Sequence, residues 1–336
     1  MRDDETKLSP AARLEREMHA FVAGNRPGGA QQMLRKAILF LADQNSVHDL
    51  AMHQPLARRF ALRFVAGESL DEAIEVVRKL NARGLRASLD HLGENVTSVS
   101  RAREAAEEYL AILDRIAAAG VDCNISVKLT QMGLDQGPIV AQDNLRLLVA
   151  RAADLKTFVR VDMEGSAYTQ RTLDIVRAVH EEFGDHVGPV IQAYLYRSAS
   201  DIQDLIARRI RTRLCKGAYN EPSSVAYPRT RDVELNYMRL AQQLLQWGNY
   251  PALATHDEKI IRWAQRYAKN NGIGAERFEF QMLYGIRRDL QDELVKSGYN
   301  VRVYVPYGTE WYPYLMRRLA ERPANLVFAL SNALRR

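Results

Sequence analysis

The hydrophobic pattern of the chain changes near residue 85. Before it, from Gln31 to about Gly84, apolar residues recur at helical spacing, as in Leu34, Ile38 and Leu41 and then Leu62 and Val65. After it, short β-branched runs alternate with longer amphipathic stretches. The runs predict strands at Leu85–Asp90, Cys123–Leu129, Phe158–Met163, Pro189–Tyr194, Thr212–Lys216, Ala252–Thr255, Phe278–Met282 and Val301–Val305. Between them the periodicity predicts helices at Arg101–Ala119, Gln142–Ala153, Tyr168–Phe183, Asp232–Trp247 and Glu258–Asn270. Such alternation implies a parallel sheet, because each crossover must return to the same edge. Eight repeats over residues 85–330 predict an α/β fold, a TIM-like (β/α)8 barrel rather than an open doubly wound sheet. Residues 1–30 are polar, end in Asn25-Arg26-Pro27-Gly28-Gly29, and read as a mobile N-terminal arm. Residues 31–84 are expected to pack as helices on the barrel.

The strands are not uniformly apolar. Ile125, Val127 and Leu129 alternate with Asn124, Ser126 and Lys128, and Val159, Val161 and Met163 alternate with Arg160, Asp162 and Glu164. Phe278, Phe280 and Met282 alternate with Glu279 and Gln281, and Val301, Val303 and Val305 with Arg302 and Tyr304. Successive side chains point to opposite faces, so one face of these strands is polar. The apolar face can pack on the outer helices, which leaves the polar face for the lumen. Uncompensated polar groups there would cost several kcal/mol each, so a lumen this polar is expected to hold water, substrate or cofactor. Polar residues also gather at the strand ends: Asp90, His91, Lys128, Asp162, Glu164, Gln192, Lys216, Thr255, His256, Gln281 and Tyr304. In barrels that rim carries the chemistry.

Composition narrows the function. The net charge of +6 is spread along the chain and mixed with acids, as in Glu104, Glu107, Glu108 and Arg115, which argues against nucleic acid. Modest attraction to anionic lipid or acidic metabolites remains compatible with it. No apolar run reaches the roughly 18–20 residues that span a bilayer, and no secretory leader is evident, so a cytoplasmic location is expected. The two cysteines, Cys123 and Cys215, lie in apolar runs and read as buried thiols. No metal spacing, GxGxxG, GxxxxGK[ST] or GxSxG occurs.

Several rim residues admit two readings. Lys128 either forms a structural pair with Asp162 or offers a cation to an anionic substrate. Lys216-Gly217-Ala218 is either an ordinary turn or a place where a flat ring or phosphate approaches the backbone. Thr255-His256-Asp257 is either hydrogen-bonded structure or part of a site. In the last predicted helix, Thr309 can cap, Pro313 suits the first turn and Pro323 terminates. Its apolar face is Tyr312, Leu315, Met316 and Leu319. Arg317 and Arg318 flank that face, either as a solvated edge with Arg317 paired to Glu321, or as guanidinium forks on a carboxylate or phosphate.

In order along the chain, SVKLT (Lys128), VRVDMEG (Asp162), IQAYL (Gln192), RLCKGAY, ATHD, FEFQMLYG and VYVPYG…WYPYLMRRLAERP resemble the proline dehydrogenase family, monofunctional bacterial type, over about residues 35–330. The resemblance implies a distorted (βα)8 barrel whose last helix lies over the strand ends. It implies noncovalent FAD and oxidation of L-proline to Δ1-pyrroline-5-carboxylate, by hydride transfer from C5 to flavin N5. By motif, Arg317 and Arg318 would pair with the proline carboxylate, Lys128 would be a third cation, and Tyr304 would pack on the pyrrolidine ring. Asp162 would hold Lys128 and Tyr304, and Tyr219 would line the pocket. Arg213 would lie near the reactive flavin nitrogen. Gln192, Lys216, Gly217, Ala218, Thr255 and His256 would contact the flavin or its phosphates, and Glu321 would orient the arginine helix. The resemblance further implies a quinone acceptor, transient contact with a membrane surface, and a pyrroline-5-carboxylate dehydrogenase as recipient of the product. The alternative is a flavin barrel oxidoreductase for another cyclic amino acid.

Overall fold

In the computed structural model, which describes residues 61–93 and 96–321 (317–321 as backbone only), eight parallel strands close into a barrel in sequence order. The predicted arm, residues 1–30, and the predicted helices before residue 61 lie outside the described residues. The first described helix, α1 (Leu70–Asn81), packs Ala73, Ile74, Val77 and Leu80 inward and precedes β1 (Arg86–His91). A complete capping box starts it: Ser69 accepts from the Glu72 amide while the Glu72 carboxylate accepts from the Ser69 amide.

Then follow α2 (Val99–Ala119), β2 (Cys123–Val127), α3 (Pro138–Asp154), β3 (Val159–Val161), α4 (Ser166–Phe183) and β4 (Val187–Gln192). The second half is α5 (Ser198–Ala207), β5 (Arg213–Cys215), α6 (Thr230–Trp247), β6 (Ala252–Ala254), α7 (Glu258–Asn270), β7 (Glu279–Leu283), α8 (Arg288–Lys296), β8 (Asn300–Tyr307) and α9 (Trp311–Glu321). All eight predicted strands are present, with starts and ends shifted by two residues or fewer; β3, β5 and β6 are three residues long. β8 pairs with β1, Arg86 beside Arg302 through His91 beside Tyr307, and this closes the barrel.

The outward-facing strand residues Leu89, Ile125, Val127, Val159, Val161, Leu214, Phe280 and Val303 are buried against the helices, as the alternation requires. The lumen is polar but largely self-satisfied, which modifies the expectation that its polarity demands a ligand throughout. At its N-terminal end Arg302 Nε donates to both Glu279 oxygens, at 3.0 and 3.2 Å, and its Nη1 donates to the Ala87 carbonyl at 2.8 Å. Gln281 also donates to Glu279. Arg160 Nη1 donates to the carbonyls of Pro189 and Arg211, at 2.9 and 2.7 Å, and Ser88 and Ser126 share a hydroxyl bond of 2.9 Å. Burial would raise the Glu279 carboxyl, but the Arg302 charge and these hydrogen bonds hold it down at about 2. Only the C-terminal end of the lumen is left for a ligand.

Among the described residues, no helix is long and apolar enough to cross a membrane, and no cluster of three or more His, Cys, Asp or Glu could hold a metal.

Candidate active site

Parallel topology brings every strand's C-terminal end to one rim, and the site grows from the side chains placed there. Asp162, just past β3, accepts from Arg213 Nη1 at 2.6 Å and from the Tyr304 hydroxyl at 2.7 Å. Arg213 Nη2 reaches Ser126 at 3.1 Å, and the guanidinium carbon sits 5.4 Å from the Tyr304 ring centre. Three strands thus converge on one carboxylate. Burial, then the Asp162 and Asp90 charges, push the Tyr304 hydroxyl well above the usual phenol range, so it remains a donor.

Lys128 departs from expectation. Its ammonium pairs with Asp90 at 3.2 Å, and the pair is almost wholly buried. Asp162 therefore holds Tyr304 and Arg213, not Lys128. Register puts position 128 beside 162, but the fully buried Asp90 on the other neighbouring strand takes the ammonium instead. Asp90 was legible as a rim acid, yet nothing in the spacing chose between the two carboxylates.

The β4–β6 side has a different chemistry. Gln192 is buried and donates to the Glu164 carbonyl at 2.9 Å. Lys216 Nζ donates to Glu234 and Asp257, at 2.9 and 3.1 Å, so two of its three protons are engaged in the described structure. Asp257 was named within Thr255-His256-Asp257, but Glu234 was not, because inside Thr230–Trp247 it looks like an ordinary helix acid. Asp257 is indeed the N-cap of α7 and accepts from the Lys259 amide. Gly217 has φ +107°, and a Cβ there would overlap the Tyr194 ring. The glycine thus lets the backbone lie against the Tyr194 ring, and Ala218 follows exposed. Thr255 is buried and its hydroxyl accepts from the Asp257 amide, while His256 Nε2 accepts from the Leu283 amide at 2.8 Å. That bond puts the neutral ring's proton on Nδ1. Cys215 is half-buried rather than enclosed, and Cys123 is fully buried.

Three residues separate α9 from β8, and α9 buries Trp311, Tyr312, Tyr314 and Leu315, so its N-terminus begins at this rim. It opens at Trp311, one residue later than a Thr309 cap would place it. The backbone of Arg317, Arg318 and Glu321 belongs to α9, but their side chains lie outside the described residues. Tyr219 is 41 % exposed, in the loop between β5 and α6.

A flavin can be tested against this arrangement. Arg213 Nε is buried without a hydrogen-bond partner, while the same guanidinium holds Asp162 and Ser126. Together with the exposed backbone at Ala218 and the Lys216 ammonium, it fits a flat ring with an acceptor nitrogen and a phosphate-bearing tail.

Comparison with known proteins agrees with the geometry. The sequence profile of the family described as proline dehydrogenase matches residues 73–330. A proline dehydrogenase of Deinococcus radiodurans is 43% identical over 308 residues, covering 90% of this chain and 99% of that protein. Proline dehydrogenase 1 of Bacillus subtilis (strain 168) is 42% identical over 304 residues, covering 90% and 100%. Among solved structures, proline utilization A from Bdellovibrio bacteriovorus inactivated by N-propargylglycine superposes with a TM-score of 0.75 at 23% identity. That likeness covers 90% of this chain and 40% of the longer protein, and shows the shared barrel fold.

Proposed function

The chain belongs to the proline dehydrogenase family, whose members are oxidoreductases acting on proline, and we propose that it oxidises L-proline to Δ1-pyrroline-5-carboxylate with noncovalently bound FAD. The observation that carries this reading is the cluster of Asp162, Arg213 and Tyr304 at the barrel mouth, with Arg213 Nε left unpartnered beside it. Bound FAD would supply the two-electron chemistry by taking hydride from proline C5 at flavin N5.

The chain's own residues bind, orient and exclude water. Arg213 Nε would donate to the flavin nitrogen, and its salt bridge to Asp162 fixes the guanidinium for that task. Gly217 and Ala218 let the ring approach the backbone, and Lys216, Thr255, His256 and Gln192 line the flavin side. Tyr304, held by Asp162, would present its ring face to the pyrrolidine, and Tyr219 would close the pocket from its loop.

Proline arrives as a zwitterion, so its carboxylate needs positive charge. The described cations here are each matched by carboxylates: Lys128 by Asp90, Arg213 by Asp162, and Lys216 by Glu234 and Asp257. The surplus charge would therefore come from Arg317 and Arg318, with Lys128 contributing through a pair already in place and Glu321 orienting the helix. Arg317→Met or Arg318→Met should each lower kcat/KM by about 2–4 kcal/mol in transition-state terms, measured on flavin-loaded protein. Near-normal kcat/KM in both would overturn the carboxylate assignment.

Electrons would pass to a membrane quinone, with the protein touching the bilayer transiently, and the product would pass to a separate pyrroline-5-carboxylate dehydrogenase. The net charge of +6 supports weak attraction to anionic lipid. Co-sedimentation of the reduced protein with anionic liposomes tests the contact, and its absence would count against it.

A further inference from the structure

The loop between β5 and α6 is fastened at three places. Near its start, Gly217 lies on the Tyr194 ring, and the Tyr194 amide donates to the Lys216 carbonyl. Near its end, Leu195 and Ala226 form an antiparallel bridge, the Tyr227 amide donates to the Tyr194 carbonyl, and the Tyr196 hydroxyl donates to the Ser223 carbonyl. Between these points Glu221 reaches across to α4. Its two oxygens accept separately from the Ser166 amide at 2.6 Å and from the Ser166 hydroxyl at 2.5 Å.

Helix α4 has Gly165 in its N-cap position and no side-chain cap of its own. Its first amide would be an unsatisfied donor at the positive end of the helix dipole. Glu221 supplies the missing acceptor from a distant loop. A second carboxylate repeats the device one strand earlier: Glu164 accepts from the Thr130 amide at 3.2 Å and hydroxyl at 2.7 Å. The loops after β2, β3 and β5 are thereby joined into one rim by two carboxylates. Tyr219 stands two residues before Glu221, and Lys128 two residues before Thr130. The Tyr194 hydroxyl is pushed above its usual range, first by burial and next by the Glu221 charge, which agrees with a carboxylate tucked under this loop.

We propose that Glu221 is a positioning residue for substrate binding, which latches the Tyr219 loop to the start of α4 and so fixes Tyr219 over the barrel mouth. This rests on the reading that Tyr219 lines the proline pocket. The bidentate bond is local to an otherwise exposed loop, so its loss should loosen substrate binding while the barrel and the flavin side stay intact.

The test is steady-state kinetics with L-proline on flavin-loaded Glu221→Ala, Glu221→Gln, Tyr219→Ala and the Glu221→Ala/Tyr219→Ala double variant. Glu221→Ala is expected to raise KM by about three- to tenfold with kcat changed by less than about twofold. Glu221→Gln keeps an acceptor for the amide and should recover part of the loss. Flavin content and Tm should stay near the parent, and the double variant should be no worse than Tyr219→Ala. An unchanged KM in Glu221→Ala, when Tyr219→Ala raises it, would overturn the latch. Additive effects, or equal losses of kcat, KM and Tm, would reduce Glu221 to a structural cap and overturn it too. An unchanged KM in Tyr219→Ala would instead remove the pocket role of Tyr219, and the function assigned to Glu221 with it.

Discussion

At the scale of single residues, two carboxylates of the lumen serve different ends. Asp162 sits at the mouth and orients a phenol and a guanidinium, so Tyr304→Phe removes one of its two bonds and leaves the fold. A hydrogen bond to a charged group contributes about 1.5–3 kcal/mol, so kcat/KM should fall by roughly 10- to 100-fold with flavin retained. Unchanged kinetics would remove Tyr304 from the site. Glu279, at the other end of the lumen, matters for stability instead. Its folded value of about 2 lies below that of an exposed carboxyl, so its contribution is complete above the unfolded value and is lost as pH falls toward about 2. Glu279→Gln strands Arg302 and should lower Tm by roughly 5–10 °C at neutral pH, a deficit that narrows as the parent is acidified. Thermal scans of both proteins between neutral and acid pH check this, and a constant deficit would contradict it.

At the scale of elements, the alternation of polar and apolar positions carried most of the information. The strands fall where Val, Ile and Phe alternate with charge, and helix α7, Glu258–Asn270, is bounded as its periodicity predicts. Helices α5 and α8 were not legible. They are short, neither has a side-chain cap, and α8 starts from Arg287 in a left-handed conformation, so the usual starting signals are missing. β4 begins at Val187, ahead of the predicted Pro189, because Val187 and Gly188 already pair with Val159 and Arg160 of β3. The site residues were legible as strand-end polar positions, but their pairing was not. The expected pair was Lys128 with Asp162, whereas the folded barrel gives Asp90 to Lys128 and Arg213 to Asp162. Element geometry also yields a prediction at the end of β5. Gly217→Ala places a methyl in the Tyr194 ring with φ +107°, so it should sharply reduce flavin retention, read as the flavin-to-protein ratio after gel filtration. Full retention would show that the ring does not approach this backbone.

At the scale of the molecule, closure of eight parallel strands divides one lumen into two functions. The N-terminal half is a polar plug satisfied largely from within, and the C-terminal half keeps a polar rim beside the Arg213 guanidinium. That division explains why a strand pattern this polar folds stably and still leaves room for chemistry. The central claim is that the open half holds a flavin reducible by proline. It is tested most directly by the absorption spectrum of the purified protein before and after anaerobic addition of L-proline. The account predicts visible flavin bands that bleach with L-proline and persist with D-proline. Flavin bands that L-proline leaves unchanged, or a protein that stays colourless after FAD is supplied, would contradict it.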